Sequence, residues 1–111
     1  MRLYRCPEEA AMIDSKSNGH PHKRRGFNLG RLMITRGALQ LLDQQDVPAA
    51  LHRHASGDWG DVDAEDWAAN ERALCEDTSL VSVYHSSAGE KFYIITEWDR
   101  SSTSILLPSE Y

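Results

Sequence analysis

The chain has 111 residues, of which 41% are hydrophobic and 26% charged, and its formal net charge at pH 7 is −5. This length predicts one domain with a single modest core, and the composition is typical of a globular protein rather than a disordered one. No apolar run approaches the roughly 18–20 residues of a membrane-spanning helix, and no signal-peptide core is present, so we predict no membrane segment and a cytoplasmic location.

The first 27 residues differ in composition from the rest of the chain. Residues 15–26 are polar, basic and rich in helix breakers, without a periodicity that would bury one face. We therefore predict a flexible basic arm over residues 1–27 and a single α+β domain over residues 28–111. Direct nucleic-acid binding is expected only through the arm residues Lys23, Arg24 and Arg25, because gripping a phosphate backbone requires clustered cations.

The domain begins with a predicted strand and two predicted helices. The run from Leu29 to Thr35 is typical of a strand, and Thr35 then offers an N-cap for a leucine-rich helix. Asp46-Val47-Pro48 predicts the start of a second helix that ends near Gly57.

A third helix has the clearest start signal in the chain. Asp63 is the predicted N-cap, with Asp66 at the third helical position in a capping-box arrangement. Val62 and Trp67 have the spacing of a hydrophobic staple, so we predict that Trp67 points to the core.

The hydrophobic period changes after Asp77 from that of a helix to that of a strand. Three short alternating runs follow, separated by turn residues: residues 79–85, 91–98 and 103–107. The whole pattern predicts an α+β fold in which a strand and two to three helices precede a three-stranded antiparallel meander, with the helices packed on one face of the sheet. The last strand, Thr103–Leu107, carries few protecting charges, so a homodimer formed through this strand is also predicted.

The strongest charge feature lies between residues 58 and 77, where eight carboxylates accompany a single cation, Arg72. The carboxylates are Asp58, Asp61, Asp63, Glu65, Asp66, Glu71, Glu76 and Asp77. Helix capping and the helix dipole account for Asp63, Glu65 and Asp66 in structural terms. A surface of this charge favours a basic protein partner over a nucleic acid.

Asp58 and Asp61 lie in the loop Gly57-Asp58-Trp59-Gly60-Asp61, directly after Arg53-His54. The two glycines permit backbone conformations that other residues avoid, and Trp59 is suited to anchor the loop. A rigid loop with acidic residues and a nearby histidine is a candidate site. The structural alternative is a turn in which Trp59 is buried and Asp58 acts as a cap.

His54, Glu97 and Arg100 are candidates for catalysis. A carboxylate that takes a proton, a guanidinium that stabilises a pentacovalent phosphate and a histidine that protonates the leaving oxygen are the groups of metal-free phosphodiester cleavage. The structural alternative is a surface ion pair, either Asp99 with Arg100 or Lys91 with Glu97 across the strands.

We predict no metal site and no cofactor. His52 and His54 lie two residues apart on a predicted helix and do not share a face, which is poor spacing for metal ligands. Cys6 and Cys75 have no metal-type spacing, and in a reducing compartment we expect two free thiols. The sequence contains no nucleotide-binding glycine loop, zinc-finger spacing or hydrolase elbow.

Three segments of this chain resemble a family of small uncharacterised proteins carried on bacterial plasmids, phages and related mobile elements. They are Arg53-His54 leading into Gly57–Asp61, Ile94-Ile95-Thr96-Glu97-Trp98-Asp99-Arg100-Ser101, and Thr103–Tyr111. The resemblance covers Leu29–Tyr111, brings no activity with it, and implies that residues 1–27 are an extension. The predicted architecture is also similar to that of barnase-like and toxin ribonucleases, which are commonly basic proteins.

Two functional hypotheses follow from these features. The leading hypothesis is a non-enzymatic interaction module that binds a basic protein, such as a nucleic-acid-binding protein of a host defence or replication system. Its predicted contact residues are Asp58, Trp59, Asp61, Glu65 and Asp66. The alternative is a small metal-independent ribonuclease or toxin, which requires His54, Glu97 and Arg100 to converge on one phosphate-sized cleft.

Overall fold

The computed structural model describes residues 27–111, which form three α-helices and a four-stranded mixed β-sheet. The strands are β1 (Arg31–Ile34), β2 (Leu80–His85), β3 (Lys91–Thr96) and β4 (Ser102–Leu106), and the helices are α1 (Arg36–Leu41), α2 (Asp46–Ala55) and α3 (Ala64–Glu76). A 3₁₀ turn, Pro108–Glu110, follows β4. The predicted α+β fold class is confirmed. The predictions for residues 1–26, including the basic arm, lie outside the described residues.

The sheet differs from the predicted three-stranded meander by one strand. β2, β3 and β4 run antiparallel in succession, but β1 joins β4 in parallel and gives the order β1-β4-β3-β2. The Thr103–Leu107 segment, predicted as an exposed edge, therefore supplies the inner strand β4. Local alternation could not reveal this arrangement, because a parallel pair is made by residues far apart in sequence.

Two predicted helix starts are confirmed by their capping bonds. Thr35 Oγ1 accepts a hydrogen bond from the Ala38 amide at 3.2 Å, and Asp63 Oδ1 accepts one from the Asp66 amide at 2.8 Å. The prediction that Trp67 points to the core is wrong, since 37% of this residue is exposed.

Helices α1 and α2 cover one face of the sheet. Alternation along the strands turns Tyr84, Phe92, Ile94 and Ile105 to this face. These four residues form the main core cluster together with Ala38, Leu42 and Ala50 from the helical half of the domain. The prediction that helices pack on one face of the sheet therefore holds for α1 and α2.

A second, smaller cluster lies where α3 meets the start of β2. Trp59, Ala73 and Leu80 are buried in it, and Phe27, Val62 and Leu74 pack against them. Phe27 was predicted as the last residue of the arm, but it belongs to the folded domain because its ring stacks on Trp59 with centroids 6.1 Å apart.

The outer edge of β2 is covered by other parts of the chain. The Asn70 side chain donates to the Val81 carbonyl at 2.8 Å and accepts from the Val81 amide at 3.1 Å. The Val83 amide donates to the Trp59 carbonyl at 3.1 Å, and the Val83 carbonyl accepts from the Asp61 amide at 2.7 Å. This edge is therefore closed to pairing with a further strand.

Cys75, near the end of α3, is disulfide-bonded, so the expectation of a free thiol is wrong for this residue. The other cysteine of the sequence, Cys6, lies outside the described residues. Disulfides are typical of oxidising compartments, so Cys75 does not support the predicted cytoplasmic location. Across residues 27–111, no helix has the length and apolar character that crossing a membrane requires.

Candidate functional site

The Gly57–Asp61 loop is a turn built around a buried tryptophan. The Trp59 side chain is fully buried, and its Nε1 donates a hydrogen bond to Glu71 Oε2 at 2.9 Å. Its ring also meets the His54 ring edge to face, with centroids 5.6 Å apart. Trp59 was predicted as a contact residue, but the structure places it in the core, where a partner cannot reach it.

Asp58 is also tied into the domain. Its carboxylate accepts two hydrogen bonds from the Arg53 guanidinium, at 2.8 and 3.2 Å, and one from the Gly60 amide at 3.2 Å. The Arg53 hydrogen bond lowers the pKa of Asp58. The Asp58 carbonyl accepts a further bond from the Tyr84 hydroxyl. These contacts match the structural alternative for this loop, a turn with a buried Trp59 and an Asp58 cap.

Asp61, Glu65 and Asp66 are the predicted contact residues that lie at the surface. Asp61 pairs with His85, with Oδ2 and Nδ1 separated by 2.7 Å, and both side chains stay about half exposed or more, at 63% and 46%. The five predicted contact residues thus divide into two that hold the fold and three that are accessible.

His54 lies at the centre of a buried hydrogen-bonded chain. Its Nδ1 is 2.6 Å from Ser82 Oγ and its Nε2 is 2.8 Å from Thr96 Oγ1. Thr96 Oγ1 is in turn 2.7 Å from Thr103 Oγ1, which donates to the Leu29 carbonyl at 2.7 Å. This hydrogen-bond network therefore joins α2 to β2, β3 and β4 and to the segment before β1.

The Leu29 carbonyl at the end of this hydrogen-bond network can only accept, and this fixes which group donates in each of the other bonds. The Thr103 hydroxyl donates its single proton to the Leu29 carbonyl, so it accepts a hydrogen bond from the Thr96 hydroxyl. The Thr96 hydroxyl in turn accepts a hydrogen bond from His54 Nε2. His54 is then the Nε2–H tautomer, and its Nδ1 accepts a bond from the Ser82 hydroxyl. Each ring nitrogen of the neutral imidazole has one partner.

This environment is unsuited to the acid role that the ribonuclease hypothesis gives to His54. Burial, together with the nearby charge of Arg100, lowers the pKa of His54 to about 4. At neutral pH the imidazole is uncharged and therefore a poor general acid, its one N–H proton is donated to Thr96, and its other nitrogen is already bonded within the core.

Arg100 serves as a structural clamp at the C-terminal end of α3. Its Nη2 donates to the Ala73 carbonyl at 2.8 Å and its Nη1 to the Thr78 carbonyl at 2.7 Å. The same Nη1 lies 3.1 Å from both the Glu97 and the Trp98 carbonyls. These bonds add to the hydrogen bonding of carbonyls at the helix end and in the β3–β4 turn, and they occupy the guanidinium that a phosphate would need.

Glu97 lies apart from the buried imidazole. Glu97 directly follows Thr96, whose side chain points to His54. The Glu97 amide continues the strand pairing by donating to the Ser102 carbonyl, and successive side chains of a strand point to opposite faces. The Glu97 side chain therefore lies on the face away from His54. Glu97 is exposed, whereas His54 is fully buried. The described geometry therefore gives the ribonuclease hypothesis no open cleft shared by these candidates.

The hydroxyl partners of His54 were not among the residues predicted to matter. A signal was present, because Ser82, Thr96 and Thr103 occupy inward positions of three alternating runs. Inward hydroxyls require a buried polar partner, and the histidine that closes the network lies on a distant helix. Within the part of the chain that the structure describes, no group of three or more His, Cys, Asp or Glu side chains could hold a metal ion.

Replacing Arg100 by lysine is expected to lower the free energy of unfolding by about 2 kcal/mol, because one ammonium group cannot reach carbonyls on both sides of the guanidinium. Urea denaturation of the purified protein measures this change. Arg72→Lys is the matched control, since Arg72 is exposed on α3 and its replacement should leave stability unchanged. Equal stability of the two variants would contradict the clamp.

Searches of protein-family models, curated proteins and solved structures find no match to this chain, so the resemblance to mobile-element proteins stays a prediction.

Proposed function

We propose that this protein is a non-enzymatic interaction module that binds a basic protein through the acidic end of α3. This surface comprises the exposed side chains of the first turns of the helix and of the loop before it: Asp61, Asp63, Glu65, Asp66 and Trp67. The observation that carries the proposal is the exposure of Trp67 among these carboxylates, at a position where the sequence predicted a core residue.

The chemistry of Trp67 suits an anchor for a partner. Ala64 and Ala68, its neighbours along the helix, are exposed and too small to screen the ring. Tryptophan is enriched among the residues that dominate binding energy, and its face attracts a lysine or arginine side chain. An aromatic ring bordered by carboxylates therefore offers a basic partner both apolar contact and charge pairing.

Charge favours the same class of partner. Asp58 and Glu71 are engaged by Arg53 and Trp59, while the other six carboxylates between residues 58 and 77 are exposed. Such a concentration of charge steers a cationic protein toward the surface and makes association sensitive to salt. Carboxylates spaced along a helix end can also imitate phosphates, so a nucleic-acid-binding protein of a host defence or replication system is the partner that we propose.

Neutralising the surface carboxylates is expected to weaken partner binding by about tenfold or more. The test variant combines Asp61→Asn, Glu65→Gln and Asp66→Asn, which change charge with little change in shape. Proteins captured from a bacterial extract at low salt by the immobilised wild type would be identified by mass spectrometry. Binding of the recovered basic protein would then be measured by calorimetry at two salt concentrations.

A matched variant controls for net charge. Asp43→Asn, Glu90→Gln and Asp99→Asn remove the same number of charges from exposed positions elsewhere, and the amide oxygens keep the turn bonds of Asp43 and Asp99. Trp67→Ala should weaken binding without any change in charge. Recovery of no basic protein, or equal loss in the two triple variants, would refute the proposed surface.

A further inference from the structure

We infer that the outer edge of β1 pairs with β1 of a second copy of this chain, in antiparallel orientation about a two-fold axis at Met33. The predicted homodimer used Thr103–Leu107, which the structure places inside the sheet. The available edge is instead β1, and its backbone geometry and flanking charges are self-complementary.

The hydrogen bonds of β1 show which backbone groups are available. The Arg31 amide donates to the Ser101 carbonyl at 2.9 Å and the Thr35 amide to the Ile105 carbonyl at 3.0 Å. In a parallel pair every second residue faces the neighbouring strand, so residues 31, 33 and 35 face β4. The amides and carbonyls of Leu32 and Ile34 face away from the neighbouring strand, and no residue from 27 to 111 forms a hydrogen bond with them.

The opposite edge of the sheet explains why the pairing would stop at two copies. The edge of β2 is occupied by the Asn70 side chain and by the Trp59–Asp61 backbone. A sheet with one open edge can pair once, and identical copies then close as a two-fold dimer instead of extending into a fibre.

Placing the two-fold axis at Met33 satisfies all four outward groups. Leu32 then faces Ile34 of the second copy, and each such pair exchanges two backbone hydrogen bonds, four in all. Met33 faces its own copy across the axis as a non-hydrogen-bonded pair, with Cα atoms about 4.5 Å apart. Leu32 and Met33 are 51% and 44% exposed in the described chain, and this pairing would cover apolar surface at both positions.

The same register brings opposite charges together. Arg31 lies opposite Thr35 of the second copy, and the Thr35 hydroxyl donates to the Glu110 carboxylate. Glu110 is exposed, and its carboxylate also accepts from the Gly37 and Leu107 amides, which hold it beside the end of β1. Each dimer would therefore contain two Arg31–Glu110 pairs at the ends of the new strand pair.

Sedimentation of the full chain tests the dimer directly. We expect a species of twice the 12.5 kDa chain mass. Met33→Lys should halve the sedimenting mass, because it places two ammonium groups against each other at the axis. Leu39 is an exposed residue of α1, so Leu39→Lys adds the same charge away from the β1 edge and should leave the dimer intact. Circular dichroism would verify that both variants fold.

Cysteine cross-linking tests the register. The short Cα separation at the axis suits a disulfide, so Met33→Cys should link two copies under mild oxidation, at a site that peptide mapping locates. Leu39→Cys should not form such a link. A wild type that sediments as a monomer at its highest soluble concentration would overturn the inference. A dimer that resists Met33→Lys, or equal linkage in the two cysteine variants, would do the same.

Discussion

Replacing His54 by alanine is expected to lower the free energy of unfolding by about 3 kcal/mol or more. The imidazole is fully buried and bonds to Ser82 and Thr96. Without it, the Ser82 hydroxyl loses its acceptor and Thr96 loses its donor, and both would be left in a cavity inside the core. His52→Ala is the matched control on the same helix, because His52 is exposed and its loss should change stability little.

The pH dependence of stability gives this prediction a second, independent readout. The pKa of His54 falls from 6.5 to about 4 on folding, so the unfolded chain binds a proton that the folded chain does not. The stabilisation is complete above pH 6.5 and is lost progressively as the pH falls from 6.5 to about 4. A shift of this size corresponds to about 3 kcal/mol.

Urea denaturation at a series of pH values measures both effects. His54→Gln keeps a polar side chain but does not titrate, so the difference in unfolding free energy between wild type and this variant should shrink on acidification. Asp58, Asp99 and Glu110 also have lowered pKa values, but they titrate in both proteins, so their contribution to the pH dependence of stability cancels in this difference. A difference that stays constant from pH 7 to pH 4 would rule out a buried neutral imidazole at this position.

Replacing Gly60 by alanine is expected to lower the unfolding free energy by more than about 3 kcal/mol. Gly60 has φ +79°, and a Cβ atom built there would lie 2.1 Å from the Val83 carbonyl oxygen and 2.7 Å from the Tyr84 ring. The Val83 carbonyl is held in place, because it accepts a hydrogen bond from the Asp61 amide at the covered edge of β2. The loop would have to leave the strand and expose Trp59.

Gly89 provides a control with a similar positive φ angle and no crowding. Its φ is +89°, but a Cβ atom would meet nothing within 4 Å, so Gly89→Ala should show only the conformational penalty, about 1–2 kcal/mol. Thermal unfolding monitored by Trp fluorescence would compare the two variants, since Trp59 reports on the loop. Similar losses in both would show that close approach of the loop to β2 does not contribute to stability.

Features that depend on near neighbours were predicted well from the sequence. Thr35 and Asp63 cap their helices through amides three residues ahead, and the alternating runs predicted over residues 79–85 and 91–98 contain the strands Leu80–His85 and Lys91–Thr96. Such interactions are encoded within a few residues, so local patterns are sufficient to identify them.

The candidate site was predicted less well, because its residues acquire their roles from distant partners. His54 was considered as a catalytic acid, yet its environment is set by Ser82 and Thr96, which lie 28 and 42 residues away. Arg100 was considered as a phosphate ligand, yet it binds the carbonyl of Ala73 on α3. The local sequence around a histidine or an arginine does not show whether its hydrogen bonds are used inside the fold.

The acidic character of residues 58–77, the helix starts and the α+β class were determined by the sequence alone, since composition, capping and periodicity are local properties. The tertiary structure decided that β1 pairs with β4 and forms one edge of the four-stranded sheet, and that Trp59 is buried while Trp67 is exposed. Each of these depends on contacts between segments far apart in the chain, and the packing of the whole domain determines which contacts form.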